Sequence, residues 1–169
     1  MTTTAQDLFV TGLKNAHAME NQALSIMKPQ ASRIENYPEV EAQIQKHITE
    51  TEGQIARLER ILETLGEDKS SLKDLALSLA GSLAAVGHTV APDEILKNSM
   101  ANFAFENFEI AAYKSLIALA DASGNTTAIS DLELNLEEEL AMAKWLDENI
   151  EMVTLKFAAL KEAGETAKK

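Results

Sequence analysis

Cysteine is absent from all 169 residues, which excludes disulfides, thiolate catalysis and every cysteine-ligated zinc or iron–sulfur centre. Any metal must therefore be held by carboxylate, imidazole or amide groups. Proline and glycine are scarce, at three and seven residues, while Ala, Leu, Glu and Lys are plentiful, a composition that favours helices. No apolar run reaches the roughly 18 residues a membrane span needs. The N-terminal stretch MTTTAQDLFV lacks the basic and apolar regions of a secretory signal. Positive charge is also in deficit: 15 Lys and Arg stand against 27 Asp and Glu, and the net charge of −12 repels nucleic-acid phosphates. A cytoplasmic protein with no membrane or nucleic-acid partner is the expectation.

The chain fits one domain, residues 1–169, and its 46% hydrophobic content suffices for one sizeable core. Apolar residues recur in steps of three and four, the period of a buried helical face. The first helix is expected from Thr4 to about Ile34, on the stripe Phe9, Leu13, Ala16, Glu20, Leu24, Met27, Ala31, Ile34. Pro29 should kink it or break its last turn. Asn36 can cap a second helix that begins at Pro38 and ends near Leu65, before Gly66. Residues 70 to 86 read as a shorter helix, Pro92 opens a third long helix that runs to Ala122, and a fourth extends from the Ser123-Gly124-Asn125 loop to about Ala163. Four long helices with a longer excursion in the middle describe an all-α four-helix bundle with a crossover. The core spans about 4 to 163, and the Lys/Glu-rich tail 164–169 is expected to be solvated and disordered.

Against this pattern, acids occupy positions that the stripes reserve for apolar side chains. Glu20 and Glu50 lie thirty residues apart, Glu109 and Glu139 repeat that interval, and hairpin connections would set both pairs level. Four carboxylates in one core repel each other unless a cation lies among them, and hard cations prefer oxygen donors. Two iron or manganese ions are the economical solution. His47 precedes Glu50 by three, Glu106 precedes Glu109 by three and Gln54 follows Glu50 by four, so each shares a helix face with its Glu. Glu138 points about 100° away from Glu139 and ranks below it. With 27 acids in the chain some must fall on any stripe by chance, but the repeated interval favours the metal reading.

Other residues carry weaker signals. His17 reads as a half-exposed helix residue, with a supporting role beside Glu20 as the alternative, and His88 as a turn residue. Tyr113 lies one turn after Glu109 and could donate to a ligand carboxylate, although an ordinary core tyrosine would sit there equally well. Trp145 and the methionines read as packing.

The segments DLFVTGLKNAHAMENQAL, HITETEGQIARLERILE, FENFEIAAYKSLIALA and LNLEEELAMAKWL resemble the four helices of the YciE/YciF (DUF892) family. The resemblance covers about residues 5 to 160. It implies a ferritin-like bundle, stress association, frequent dimerisation and a metal site that includes Glu20, Glu50, Glu106, Glu109 and Glu139. The wider ferritin-like pattern places a histidine three residues after a ligand Glu, but Gly53 and Met142 stand at those positions here, and Ala143 replaces an Asp. The expected function is a homodimeric, ferritin-like stress protein with two iron or manganese ions on Glu20, His47, Glu50, Glu106, Glu109 and Glu139, reacting with peroxide or dioxygen. A helical interaction protein with a degenerate site is the alternative, and a storage cage is a third.

Overall fold

The computed structural model describes residues 3–67 and 91–169. Helix α1 spans Ala5–Ala31, α2 Pro38–Thr64, α3 Glu94–Ala122 and α4 Ile129–Glu162, the last preceded by a 3-10 turn at Thr126–Ala128. Helices α1 and α2 form one hairpin, α3 and α4 the other, and α1 packs on α3 and α2 on α4 to close a four-helix bundle. No strand occurs among the described residues. The shorter helix expected at 70–86, and His88, lie outside them.

Local chemistry sets the boundaries. Thr4 and Asp7 form a reciprocal capping box, with Asp7 N–H donating to Thr4 Oγ1 at 3.1 Å and Thr4 N–H to Asp7 Oδ2 at 2.9 Å. Pro29 is tolerated only in the last turn, so α1 ends at Ala31 rather than Ile34. Pro38 is the first residue of α2, where its missing N–H costs nothing. Gly124, at φ +77°, supplies the left-handed residue that ends α3 and reverses the chain.

The core has two apolar halves. Phe9, Leu13, Leu58, Leu62, Leu116 and Leu132 fill one. Met27, Tyr37, Val40, Ile44, Ile95, Leu146 and Val153 fill the other. Between them in sequence on every helix lie buried polar residues, among them Glu20, His47, Gln54, Glu109 and Glu139. The bundle thus carries a polar layer across its middle.

The tail corrects the expectation of solvated disorder. Gly164, at φ +73°, turns the chain back over the bundle end. Ala167 is buried, Tyr37 Oη donates to its carbonyl at 2.7 Å, and Ile95 N–H donates to the Lys168 carbonyl at 2.9 Å. Asn36 caps no helix; its amide donates to the carbonyls of Thr166 and Lys169 at 2.8 and 3.1 Å. Glu94, itself buried, pairs with Arg33 at 2.8 Å and Lys168 at 3.3 Å. Burial opposes its ionisation, but Arg33 and Lys168 outweigh that and hold its carboxyl below the ordinary range. A buried pair broken from one side costs about 3–5 kcal/mol. Both cations here keep roughly a third of their exposure, so Glu94→Ala should cost about 1–3 kcal/mol after allowance for solvent. Thermal melts check the loss, and hydrogen exchange at Ile95 and Asn36 should quicken with it.

Candidate metal centre

His47, Glu106, Glu109 and Glu139, all buried, each offer a ligand atom within 4.8 Å of the others. They come from α2, α3 and α4, and α1 adds Glu20, which is fully buried. Glu20 lies close enough to Glu109 and Glu139 to repel both electrostatically. These side chains all lie in the polar layer of the bundle.

The carboxyl oxygens are poorly satisfied. Among the described residues, Glu20 Oε2 and both oxygens of Glu109 are buried with no hydrogen-bond donor, while Glu106 Oε2 and Glu139 Oε2 share the single Nε2 of His47 at 3.2 and 3.4 Å. Buried polar atoms are nearly always paired, because each orphan costs about 1–3 kcal/mol. Burial first, and then mutual repulsion, pushes Glu20 and Glu109 well above the ordinary carboxyl range. Burial likewise pushes Glu106 up to about 8, against the pull of His47.

His47 is wedged among acids. Its Nε2 lies 3.2 Å from Glu106 Oε2 and 3.4 Å from Glu139 Oε2, while Nδ1 lies 3.1 Å from Glu50 Oε2. Burial disfavours its charge, but the hydrogen bonds to Glu106, Glu139 and Glu50 outweigh burial and push the imidazole up to about 12.

Glu50 stands apart from the grouped four. Its carboxylate is 20% exposed, bonded to His47 and to Lys46 Nζ at 2.7 Å, and His47 first, then Lys46, hold it below the ordinary range. Glu138 turns outward to Arg57, as its 100° offset required. His17 is buried rather than half-exposed, and it pairs with Glu59 at 3.3 Å, not with the cluster. Tyr113 takes the donor role: its hydroxyl gives a 2.5 Å hydrogen bond to Glu20 Oε1.

Behind these groups lies a shell of which sequence reasoning singled out Gln54 but missed Asn135 and Arg57. Asn135 Nδ2 donates to Tyr113 Oη at 2.9 Å, Arg57 Nε donates to Asn135 Oδ1, and Gln54 Nε2 donates to Glu139 Oε1. The available signal was spacing, since Asn135 precedes Glu139 by four and Arg57 follows Gln54 by three.

Known proteins place this arrangement. The family described as "Domain of unknown function (DUF892)" matches residues 4–159. The chain belongs to the DUF892 family. Protein YciF of Escherichia coli strain K12 is 27% identical over 146 residues, covering 82% of this chain and 85% of that protein. A solved Xanthomonas campestris pv. campestris protein is 31% identical with a TM-score of 0.78, covering 94% of this chain and 99% of its own. The structure titled as the E. coli stress protein YciF superposes with a TM-score of 0.67 at 23% identity over 88% of this chain and 96% of its own, and it shows the shared fold alone. YcfI of Rhodopseudomonas palustris, titled a putative structural protein, gives 0.65 at 26% identity over 86% of this chain and 94% of its own. In this DUF892 protein, the buried His/Glu cluster offers donors that could hold a hard or borderline metal ion.

Proposed function

We propose that this DUF892 protein is a ferritin-like, stress-associated metal protein whose bundle holds two iron or manganese ions. Glu20, His47, Glu106, Glu109 and Glu139 would supply the ligands. The observation that carries this is the set of buried carboxyl oxygens without donors, arranged around one imidazole. Three buried oxygens with no donor, and two more that share one imidazole nitrogen, carry a desolvation cost that cations would remove. The bound metal would supply redox chemistry toward peroxide or dioxygen.

The protein's own groups have separable roles in this reading. Tyr113 fixes one oxygen of Glu20 and leaves the other for a ligand bond. Gln54 does the same for Glu139. Glu50 accepts from His47 Nδ1 and so aims Nε2 into the centre, as carboxylates behind metal-bound histidines do. Glu20, Glu106, Glu109 and His47 would give up protons on loading, so affinity rises with pH. The same reading takes the protein to be a cytoplasmic homodimer; no helix among the described residues is long and apolar enough to cross a membrane.

Metal analysis after purification with iron or manganese tests the proposal. Stoichiometric metal should be bound and should be lost in a folded Glu109→Ala/Glu139→Ala variant. Metal-free protein under both loadings overturns it. One observation favours a second reading, a helical interaction protein with a degenerate site: Met142, where relatives of the wider fold place histidine, is fully buried and its sulfur accepts from Gln43 Nε2 at 3.3 Å.

A further inference from the structure

Helix α3 has an unusual division of faces. Between Ile95 and Ile110 its buried side is polar, with Asn98, Asn102, Glu106 and Glu109, while Phe108 is 58% exposed and Phe105 half-buried on the side toward α1. Small residues, Ala23 on α1 and Ala101 on α3, hold this seam open. The result is a hollow of about 310 Å³, walled also by Met27, Gln30, Asn102, Phe105 and Glu106.

Among the described residues, Glu106 alone lies both on that wall and in the group formed with His47, Glu109 and Glu139. One carboxylate therefore separates the hollow from the candidate metal centre. A second hollow of about 340 Å³ lies along the same seam and shares Phe105 and Phe108, but it lacks Glu106 and does not border the cluster.

The walls define what the first hollow can take. Its volume is at the lower end of the roughly 300–1,000 Å³ that small-molecule sites span, enough for one aromatic ring or a short alkyl chain. Glu106 is its one ionisable wall residue among the described residues, and the chain's charge is −12, so anions are disfavoured. Apolar neighbours penalise a strongly hydrated cation. The buried Asn102–Gln30 amide pair, joined at 2.9 Å, leaves further donor and acceptor capacity on the wall.

We propose that this hollow binds a small, uncharged, largely apolar molecule, with a single hydrogen-bonding group set against Glu106 and the Gln30–Asn102 pair. A role as the substrate pocket of the centre rests on the metal reading above. The capacity to bind does not.

The test uses metal-free and manganese-loaded full-length protein, with indole, p-cresol and 1-hexanol as neutral probes and hexanoate as the anionic control. Binding is read from amide shifts in heteronuclear NMR spectra of the metal-free protein, and by titration calorimetry for the manganese-loaded protein, whose paramagnetic ion would broaden the nearby amides. At least one neutral probe should move the amides of Ala101, Phe105 and Phe108. It should bind at least tenfold tighter than hexanoate and weaken at least tenfold in Ala101→Phe or, should that variant misfold, Ala104→Phe. Silence from every neutral probe overturns the proposal, as does equal binding by hexanoate or by a folded filling variant. So does a sedimenting dimer in which exchange protection of Phe105 and Phe108 shows a second copy covering the seam. Probe binding without manganese uptake leaves the pocket standing and removes the metal reading; manganese uptake without probe binding removes the pocket alone.

Discussion

Replacing Glu109 with leucine should stabilise the metal-free protein and, on the metal reading proposed above, abolish metal uptake. Both carboxylate oxygens of Glu109 are buried without a donor, and Glu20, Glu139 and Glu106 all repel its charged form. Leucine fills a similar volume with no desolvation cost. Replacing ill-compensated buried ionisable groups by apolar ones commonly gains about 1–4 kcal/mol. Urea unfolding of chelator-treated wild type and variant measures the change, with the midpoint rising and the slope unchanged. Manganese should then raise the wild-type midpoint and leave that of the variant where it was. A variant that is less stable than metal-free wild type would show that Glu109 has a structural partner.

The metal-free protein should also lose stability as pH rises from about 5 to 8, contrary to the usual behaviour of an ion-paired acidic chain. Burial pushes Glu106 up to about 8, and Glu20 and Glu109 move in the same direction. The folded chain therefore keeps protons that the unfolded chain releases near 4.5. That contribution is complete below 4.5 and declines as pH climbs toward 8, by about 1 kcal/mol per retained proton per pH unit. His47, held charged up to about 12, adds a loss of the same sign above its ordinary 6.5. Asp7, Glu50 and Glu94 are shifted the other way, so their contribution disappears only as pH falls below the usual carboxyl range. Melts of chelator-treated protein at constant ionic strength should peak near pH 5 and be lower at pH 8 by several kcal/mol. Manganese should reverse that slope, because ligation needs the deprotonated groups. A flat profile without metal would contradict the buried-proton picture.

Much of the bundle was legible because α1, α2 and α4 obey a helical period. Phe9, Leu13, Met27, Ile44, Leu58, Leu132 and Leu146 are all buried as their spacing requires. The same period separated Glu139, fully buried, from Glu138, which is half-buried against Arg57. Helix α3 gave no comparable stripe, since its inner face carries Asn98, Asn102, Glu106 and Glu109 while Phe108 faces solvent. Its role emerges only when the other helices supply the partners.

Contacts between distant residues were not legible. Arg57 meets Asn135 across 78 residues, and Tyr37 meets the Ala167 carbonyl across 130. The tail looks solvated by composition, but its docking depends largely on backbone carbonyls, which composition does not reveal. His47 could be placed on the correct face, but its position between Glu106 and Glu139 follows from how α3 and α4 pack.

Anomalous diffraction from crystals grown with manganese tests the central claim most directly, because it locates each ion against named side chains. Two peaks per chain are expected in the polar layer, bounded by Glu20, His47, Glu106, Glu109 and Glu139, and both should vanish in Glu109→Leu. Ions found only on exposed carboxylates, with the buried cluster intact and empty at saturating manganese, would contradict it.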